Sequence, residues 1–219
     1  MRRALVVRGG WEGHVPVEAT DLFVPELSAR GFAIDISESL SVYADPHALS
    51  AYDLIVQCWS IGTITDAESA GLRAAVRAGV GFAGWHGGVL ATFAGDVSYQ
   101  RMVGGVFTFH RPEFVDYRVR PTAAGREHPV TRDIGDFDVH SEQYWLLTDA
   151  YSEVLATTVY QPYPDSEFGE PVEMPVVWTR SWGSGRVFVS AIGHRLANLT
   201  APEVFQLTLR GLEWAARIG

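Results

Sequence analysis

Short apolar runs alternate with amphipathic segments along the first ninety residues of the chain. The run at residues 17–30 has helical spacing, although Pro25 within it predicts a kink or a shorter helix. Thr65-Asp66-Ala67-Glu68 is a capping box that begins a second helix. Apolar runs that end in glycine or polar residues predict buried parallel strands, at residues 4–7, 32–36, 53–58 and 80–83. Strands that alternate with helices predict a parallel sheet covered on both faces.

The second half of the chain has a looser pattern with more turns. Residues 175–179 and 185–191 flank Ser181-Trp182-Gly183-Ser184, which predicts an antiparallel hairpin. A last helix is expected from about Pro202 to residue 217. Because no repeat or linker interrupts residues 1–219, we predict a single domain. Its expected fold is α/β, a three-layer, doubly wound, mostly parallel sheet with an antiparallel insertion in the second half.

Composition narrows the classes of partner. The chain has 219 residues, of which 47% are hydrophobic, so a large core is expected. Its net charge of -9 disfavours a nucleic-acid partner, because phosphate binding needs a basic face. No apolar stretch approaches the roughly 20 residues of a membrane span, and the apolar start is too short for a signal peptide. We therefore expect a cytoplasmic protein without a membrane or nucleic-acid partner.

The single cysteine, Cys58, excludes an intramolecular disulfide and a cysteine-rich zinc site. It ends an apolar strand without flanking glycines, which favours a buried, inert thiol over a nucleophile.

Gly84-Trp85-His86-Gly87-Gly88 follows the predicted strand at residues 80–83, and a helix is expected to begin at Val89. A sharp turn between glycines raises one side chain above the end of a parallel sheet, where hydrolases carry a nucleophile. The raised residue here is His86, which can transfer protons or bind a metal but rarely forms a covalent adduct. The turn therefore predicts a reactive site without a Ser or Cys nucleophile.

Other polar and aromatic side chains follow the ends of predicted strands, where open parallel sheets bind ligands. We predict acid–base roles for His86, Glu142 and His194. Sugar rings stack on aromatic side chains and hydrogen-bond to polar ones, so ligand binding is predicted for His14, Trp59, Trp85, His110 and Tyr144. For each histidine the alternative is a surface or structural group, and for each tryptophan it is core packing.

The cofactor stays open at this point. Scattered histidines and one glutamate are compatible with a divalent metal such as zinc. No two histidines have the close spacing of a zinc motif such as His-Glu-x-x-His, so the sequence specifies no metal.

The chain resembles the ThuA-like (trehalose-utilisation) family, whose fold is similar to that of the class I glutamine amidotransferases. The matching segments occur in the expected order over most of the chain. They are Gly84-Trp85-His86-Gly87-Gly88, Gly104-Gly105-Val106-Phe107 with His110, His128-Pro129-Val130-Thr131, Ser141-Glu142-Gln143-Tyr144, Met174-Pro175-Val176-Val177-Trp178, Gly183-Ser184-Gly185-Arg186-Val187-Phe188 and Gly193-His194.

The resemblance implies a flavodoxin-like sheet in which His86 replaces the amidotransferase cysteine, so glutaminase activity is not expected. It also implies a link to the breakdown of trehalose and related disaccharides, through 3-keto sugars. The family often has Asp-Glu where this chain has Ser141-Glu142. Any role of that Asp would pass to a neighbour such as His140 or be lost.

Two functional hypotheses follow. The first is an enzyme that acts on a disaccharide or 3-keto sugar, with His86 as general acid or base oriented by Glu142 or His194. The second is a non-catalytic sugar-binding or regulatory protein on the same scaffold, which the missing nucleophile supports. Both hypotheses imply a small-molecule sugar ligand, and the apolar composition is compatible with a homo-oligomer.

Overall fold

The computed structural model describes residues 1–164 and 166–217, and this part of the chain contains eleven strands and eight α-helices. The strands are β1 Arg2–Gly10, β2 Phe32–Ser37, β3 Leu54–Ser60, β4 Gly81–Trp85, β5 Gly105–Phe109, β6 Val115–Pro121, β7 Phe137–Ser141, β8 Trp145–Thr148, β9 Glu153–Tyr160, β10 Val172–Trp182 and β11 Gly185–Ser190. The α-helices are α1 Pro16–Asp21, α2 Val24–Ala29, α3 Pro46–Leu49, α4 Asp66–Arg77, α5 Val97–Val103, α6 Ala123–Glu127, α7 Leu196–Leu199 and α8 Pro202–Ala215. Short 3-10 helices cover Glu12–His14, Leu40–Ala44 and His86–Gly88.

Nine strands form one mixed sheet in the order β2-β1-β3-β4-β11-β10-β9-β6-β7, and β5 pairs with β8 separately. The α/β class is confirmed. The sheet is not mostly parallel, because the four pairings from β2 to β11 are parallel and the four from β11 to β7 are antiparallel. The reason is that four of the six strands inserted between β4 and β11, namely β6, β7, β9 and β10, extend the sheet by antiparallel pairing.

Helices cover both faces of the parallel half. Phe82 and Trp85 lie three residues apart on β4, so their side chains point to opposite faces. The Phe82 ring contacts Tyr99 of α5 with centroids 6.3 Å apart, whereas the Trp85 ring contacts Phe23, just before α2, at 5.0 Å. Both aromatic side chains of β4 therefore belong to the core, one on each side of the sheet.

Local sequence signals were reliable where they involve hydrogen bonds within a few residues. The capping box at Thr65 is confirmed: Thr65 Oγ1 accepts from the Glu68 amide, and the Glu68 carboxylate accepts from the Thr65 amide at 2.8 Å. The hairpin is confirmed as well, since β10 and β11 pair from Val177 to Trp182 around a turn with Gly183 at φ 62°.

The break predicted at Pro25 is confirmed, and one helix prediction was wrong. Residues 17–30 form two helices, α1 and α2, because Pro25 lies in the first turn of α2, where a proline needs no amide partner. No helix begins at Val89, whose φ is -134°, and Phe93 lies in the left-handed region at φ 47°. The chain therefore makes one turn at His86–Gly88 and runs on irregularly to α5.

None of the helices in the described residues combines the length and apolarity that crossing a bilayer requires.

Cys58 gives a direct test of the packing between β3 and the turn after β4. Its thiol is 1% exposed, and burial raises its pKa to about 12. Because the thiolate is the reactive form, we expect a disulfide reagent to label native protein at least about a hundredfold more slowly than the same chain in denaturant. Rapid labelling of the native protein, measured by absorbance of the released thiolate, would contradict this placement.

Candidate active site

Four residues from distant parts of the chain meet at one edge of the sheet. Four successive antiparallel pairings separate β7 from β11, so β7 runs in the same direction as β4 and β11. His14, His86, Glu142 and His194 all follow strands that end at this edge, and one ligand atom from each lies within 4.8 Å of the others. The structure thus brings together the three residues predicted for acid–base chemistry and adds His14 to them.

The backbone at His86 has a conformation that is uncommon for any residue except glycine. Its φ is 47°, in the left-handed region, and such strain is concentrated at functional sites. The flanking glycines allow close contact with β3: a Cβ on Gly84 would lie 2.6 Å from the Gln57 carbonyl oxygen, and one on Gly88 would lie 2.8 Å from Cys58 Cα. The glycines therefore let the turn pack tightly against its neighbouring strand.

The hydrogen bonds of His86 fix its tautomer. Nδ1 lies 2.9 Å from the Ala191 carbonyl oxygen, which can only accept, so Nδ1 donates its hydrogen. In a neutral imidazole Nε2 then carries a lone pair, and it lies 3.1 Å from Glu142 Oε2. A nitrogen acceptor thus faces a carboxylate oxygen at hydrogen-bond distance.

The two oxygens of Glu142 have different neighbours. Oε2 lies 3.1 Å from His86 Nε2 and 3.0 Å from His194 Nδ1. The His194 contact is not aligned as a hydrogen bond, so this buried nitrogen has no hydrogen-bond partner among the described residues. Oε1 faces His110, whose Nε2 is 3.5 Å away. One oxygen is therefore held inside the protein, and the other is directed toward a partly exposed histidine.

Burial and mutual charge set the protonation of the cluster. Burial alone would raise the pKa of Glu142, but the contacts with His194 and His86 outweigh it and hold this pKa below its usual value. Burial lowers the pKa of His86 despite the opposing effect of Glu142, and burial with the neighbouring His86 and His194 lowers that of His14 to about 3. At neutral pH the site therefore contains an ionised Glu142 beside neutral His86 and His14.

Packing holds the imidazole rings in place. Tyr144 stacks on His86 with ring centroids 4.1 Å apart. Phe107 in turn packs against Tyr144, with ring centroids 4.4 Å apart. His14 Nδ1 lies 2.6 Å from Ser60 Oγ, and its ring meets His86 edge-on at 4.9 Å. These contacts restrict each ring to one orientation.

A cavity of about 370 Å³ opens beside the cluster. Its polar wall comes from His14, His110 and Glu142, and its aromatic wall includes Trp11, Phe107 and Tyr144. His86 does not reach this wall: its side chain is 1% exposed and lies behind Glu142. The expectation that His86 itself faces the ligand is therefore corrected, because Tyr144 covers its ring and Glu142 occupies the wall.

Two predicted ligand-binding tryptophans lie elsewhere. Trp85 packs in the core against Phe23, because the last position of β4 points to the face of the sheet on which Phe23 lies. Trp59 packs over Gly9, where a Cβ would approach its ring to 2.7 Å. Trp11 is 47% exposed at the cavity and is the tryptophan available to a ligand.

Ser141, which stands where the family often has Asp, has a structural partner. Its buried Oγ donates to Asn198 Oδ1 at 3.1 Å and so ties the end of β7 to α7. His140 cannot substitute at the site, because it is exposed and pairs with Asp116 at 2.8 Å.

The partners that orient the cluster were not found from the sequence. The Ala191 carbonyl fixes the His86 tautomer, but a backbone carbonyl carries no signal in the residue type. Ser60 is the last residue of β3, and a serine at the end of a strand does not predict a histidine partner. Their roles depend on contacts across 105 and 46 residues of sequence.

Comparison with known proteins identifies the family of this chain. A family model described as ThuA, trehalose utilisation, matches residues 3–215. The chain belongs to the ThuA family. No functionally curated protein sequence shows significant similarity to it.

Solved structures support this ThuA fold. A ThuA-like protein from Bacteroides uniformis has a TM-score of 0.79 at 22% identity, with 98% of this chain and 91% of that chain covered. One from Parabacteroides merdae has a TM-score of 0.77 at 18% identity, covering 98% and 89%. A cytoplasmic protein from Salmonella typhimurium has a TM-score of 0.71 at 14% identity, covering 99% and 100%. At these identities the likeness concerns the fold alone.

Proposed function

We propose that this ThuA-family chain is an enzyme that acts on a disaccharide or its 3-keto derivative by acid–base chemistry, without glutaminase activity. The observation that carries the proposal is that the two carboxylate oxygens of Glu142 have different surroundings. Its Oε2 lies between His86 Nε2 and His194 Nδ1, at 3.1 and 3.0 Å, while Oε1 lies 3.5 Å from His110 at the cavity wall. A carboxylate oriented in this way can act as a general base toward a ligand in the cavity.

The pair formed by Glu142 and His110 suits elimination next to a keto group. Glu142 Oε1 removes the proton from the carbon beside the carbonyl, and the electron pair of that C–H bond forms a carbon–carbon double bond. The glycosidic oxygen on the next carbon leaves with its bonding electrons and takes a proton from His110. In this scheme His86 and His194 are positioning residues, because they contact the other carboxylate oxygen and leave Oε1 to face the cavity.

The cavity supports a sugar as the ligand. Its volume of about 370 Å³ lies within the range of small-molecule sites. Trp11 and Tyr144 offer aromatic surface, on which the apolar faces of sugar rings stack. The turn after β4 carries His86 in place of a nucleophile, which argues against amide hydrolysis through a covalent intermediate.

The test is turnover of a 3-keto disaccharide beside the parent disaccharide. Loss of a positioned general base costs about 10²–10⁴-fold, so Glu142→Gln is expected to lower kcat by at least a hundredfold. The matched control is Glu203→Gln, because Glu203 is an exposed carboxylate in the first turn of α8. Equal rates for wild type and Glu142→Gln would overturn the mechanism.

A non-catalytic sugar-binding or regulatory protein is the second candidate. It is favoured by the burial of His86, whose side chain is 1% exposed at the position where related folds carry the nucleophile. Calorimetric titration separates the two. Tight sugar binding with no product after long incubation would replace the enzymatic proposal with this one.

We also propose that residues 1–219 form one domain whose parallel half is flavodoxin-like, supported by the order β2-β1-β3-β4-β11. A cytoplasmic location is proposed on the description of the Salmonella relative as a cytoplasmic protein.

A further inference from the structure

We propose that His14, His86, Glu142 and His194 bind one divalent transition-metal ion, for which zinc is the reference ion. The four residues also serve the proposed function. The inference stands on the geometry of their ligand atoms and does not require that a sugar be turned over.

The first argument is the contact between His86 and Glu142. Because Nδ1 of His86 donates to the Ala191 carbonyl, Nε2 is the ring nitrogen that faces Glu142 Oε2, 3.1 Å away. A cation can bind both atoms at once, with the imidazole nitrogen and the carboxylate oxygen as two of its ligands. Metal-bound histidines commonly donate their other ring N–H to a backbone carbonyl in this way.

The second argument is an unpartnered buried nitrogen. His194 Nδ1 has no hydrogen-bond partner in the described residues, although its side chain is only 10% exposed. It lies 3.0 Å from the same Glu142 Oε2 that faces His86. Buried polar atoms are nearly always satisfied, so this nitrogen is available as a ligand atom, and a cation beside Oε2 would satisfy it.

The third argument is the size and chemistry of the cluster. Bonds of about 2.0–2.1 Å place the ligands of tetrahedral zinc roughly 3.3 Å apart. The contacts of 3.0 and 3.1 Å are close to that value, and all four ligand atoms lie within 4.8 Å of one another. Three imidazoles with one carboxylate suit zinc and its neighbours in the transition series.

His14 completes the set with an oriented ring. Its Nδ1 is engaged by Ser60 Oγ at 2.6 Å, which leaves Nε2 as the available ligand atom. Ser60 and the Ala191 carbonyl would then be the outer partners of two metal-bound histidines. Glu142 Oε1 would stay free beside His110, so metal binding through Oε2 and proton transfer through Oε1 can coexist.

The experiment measures metal binding directly. Chelator-treated protein is titrated with Zn²⁺ by calorimetry and with Co²⁺ by visible absorption, which reports the coordination geometry. We expect one ion per chain with a dissociation constant below about 1 μM, as a preformed set of four ligands should give. Glu142→Gln and His194→Asn should weaken binding at least tenfold, and His140→Asn, an exposed histidine paired with Asp116, should not.

A second variant keeps the test decisive if a ligand variant fails to fold. Ser60→Ala removes only the partner of His14 and is expected to weaken Zn²⁺ binding by about 10–100-fold. Absence of stoichiometric binding to the wild type, or equal affinity in wild type, His194→Asn and Ser60→Ala, would overturn the metal site. Stoichiometric binding without turnover would remove the proposed function and keep this inference, whereas turnover without any bound ion would do the reverse.

Discussion

Replacing Gly87 by alanine is expected to lower turnover of the 3-keto disaccharide by about a hundredfold, the scale of a misplacement of about 1 Å in an active site. A Cβ at Gly87 would lie 2.0 Å from His14 Cε1, too close for both atoms to keep their positions. The His14 ring cannot yield without cost, because it contacts Ser60 at 2.6 Å and packs edge-on against His194 at 5.0 Å. The expected result is a displaced His14 in a folded protein.

The Gly87→Ala substitution tests steric crowding alone, because it leaves the backbone conformation unstrained. Gly87 is not among the glycines with positive φ, so alanine introduces no backbone strain there. Gly135→Ala is the matched control, because its φ is also ordinary and no atom lies within 4 Å of the added Cβ. Turnover of Gly87→Ala within twofold of the wild type, with the unfolding transition unchanged, would mean that the position of His14 does not matter for the reaction.

Replacing Trp178 by alanine is expected to cause the largest loss of stability, about 3–5 kcal/mol in the free energy of unfolding. Trp178 lies in the middle of β10, is 1% exposed and fills space against Gly105, where a Cβ would approach its ring to 3.0 Å. Its Nε1 donates to the Val103 carbonyl oxygen at 2.9 Å, so the truncation also leaves a buried acceptor unpaired. For a chain of this size the loss corresponds to a fall in Tm of roughly 10 °C.

Trp178→Phe separates the two contributions. Phenylalanine keeps most of the packing but cannot donate to Val103, so its cost should be about 1–3 kcal/mol, the penalty of the unsatisfied carbonyl. Urea unfolding followed by circular dichroism measures both variants. A loss below about 1 kcal/mol for Trp178→Ala would contradict the close packing of β10 against α5 and β5.

The antiparallel strands explain how Glu142 reaches the site. β7 lies at the far edge of the nine-stranded sheet, yet Ser141 at its end bonds Asn198 of α7, which follows His194. After Ser141 the chain leaves β7 and continues to β8 in the small sheet, and Glu142 lies in this connection. The insertion between β4 and β11 therefore does more than extend the sheet, because it delivers the one carboxylate of the cluster.

The sequence predicted which strand ends carry the polar residues of the site. His86, Glu142 and His194 were selected because each follows a predicted strand, and the common edge of co-directed strands brings them together. It could not predict that Trp59 and Trp85 point away from the cavity. Whether the last residue of a strand faces a helix layer or a ligand depends on the register of the strand and on the following turn. A shift of one residue moves the side chain to the opposite face of the sheet.

The residues themselves determined the local structure: the capping box at Thr65, the hairpin at Gly183, the breaking effect of Pro25 and the tight turn around His86. These features depend on dihedral preferences and hydrogen bonds that span a few positions. Only the tertiary structure decided that His86 lies behind Glu142, that one carboxylate oxygen faces two imidazoles and that the other faces the cavity. Those contacts join Glu142 to residues 32 to 56 positions away, and folding of the whole sheet sets their distances and directions.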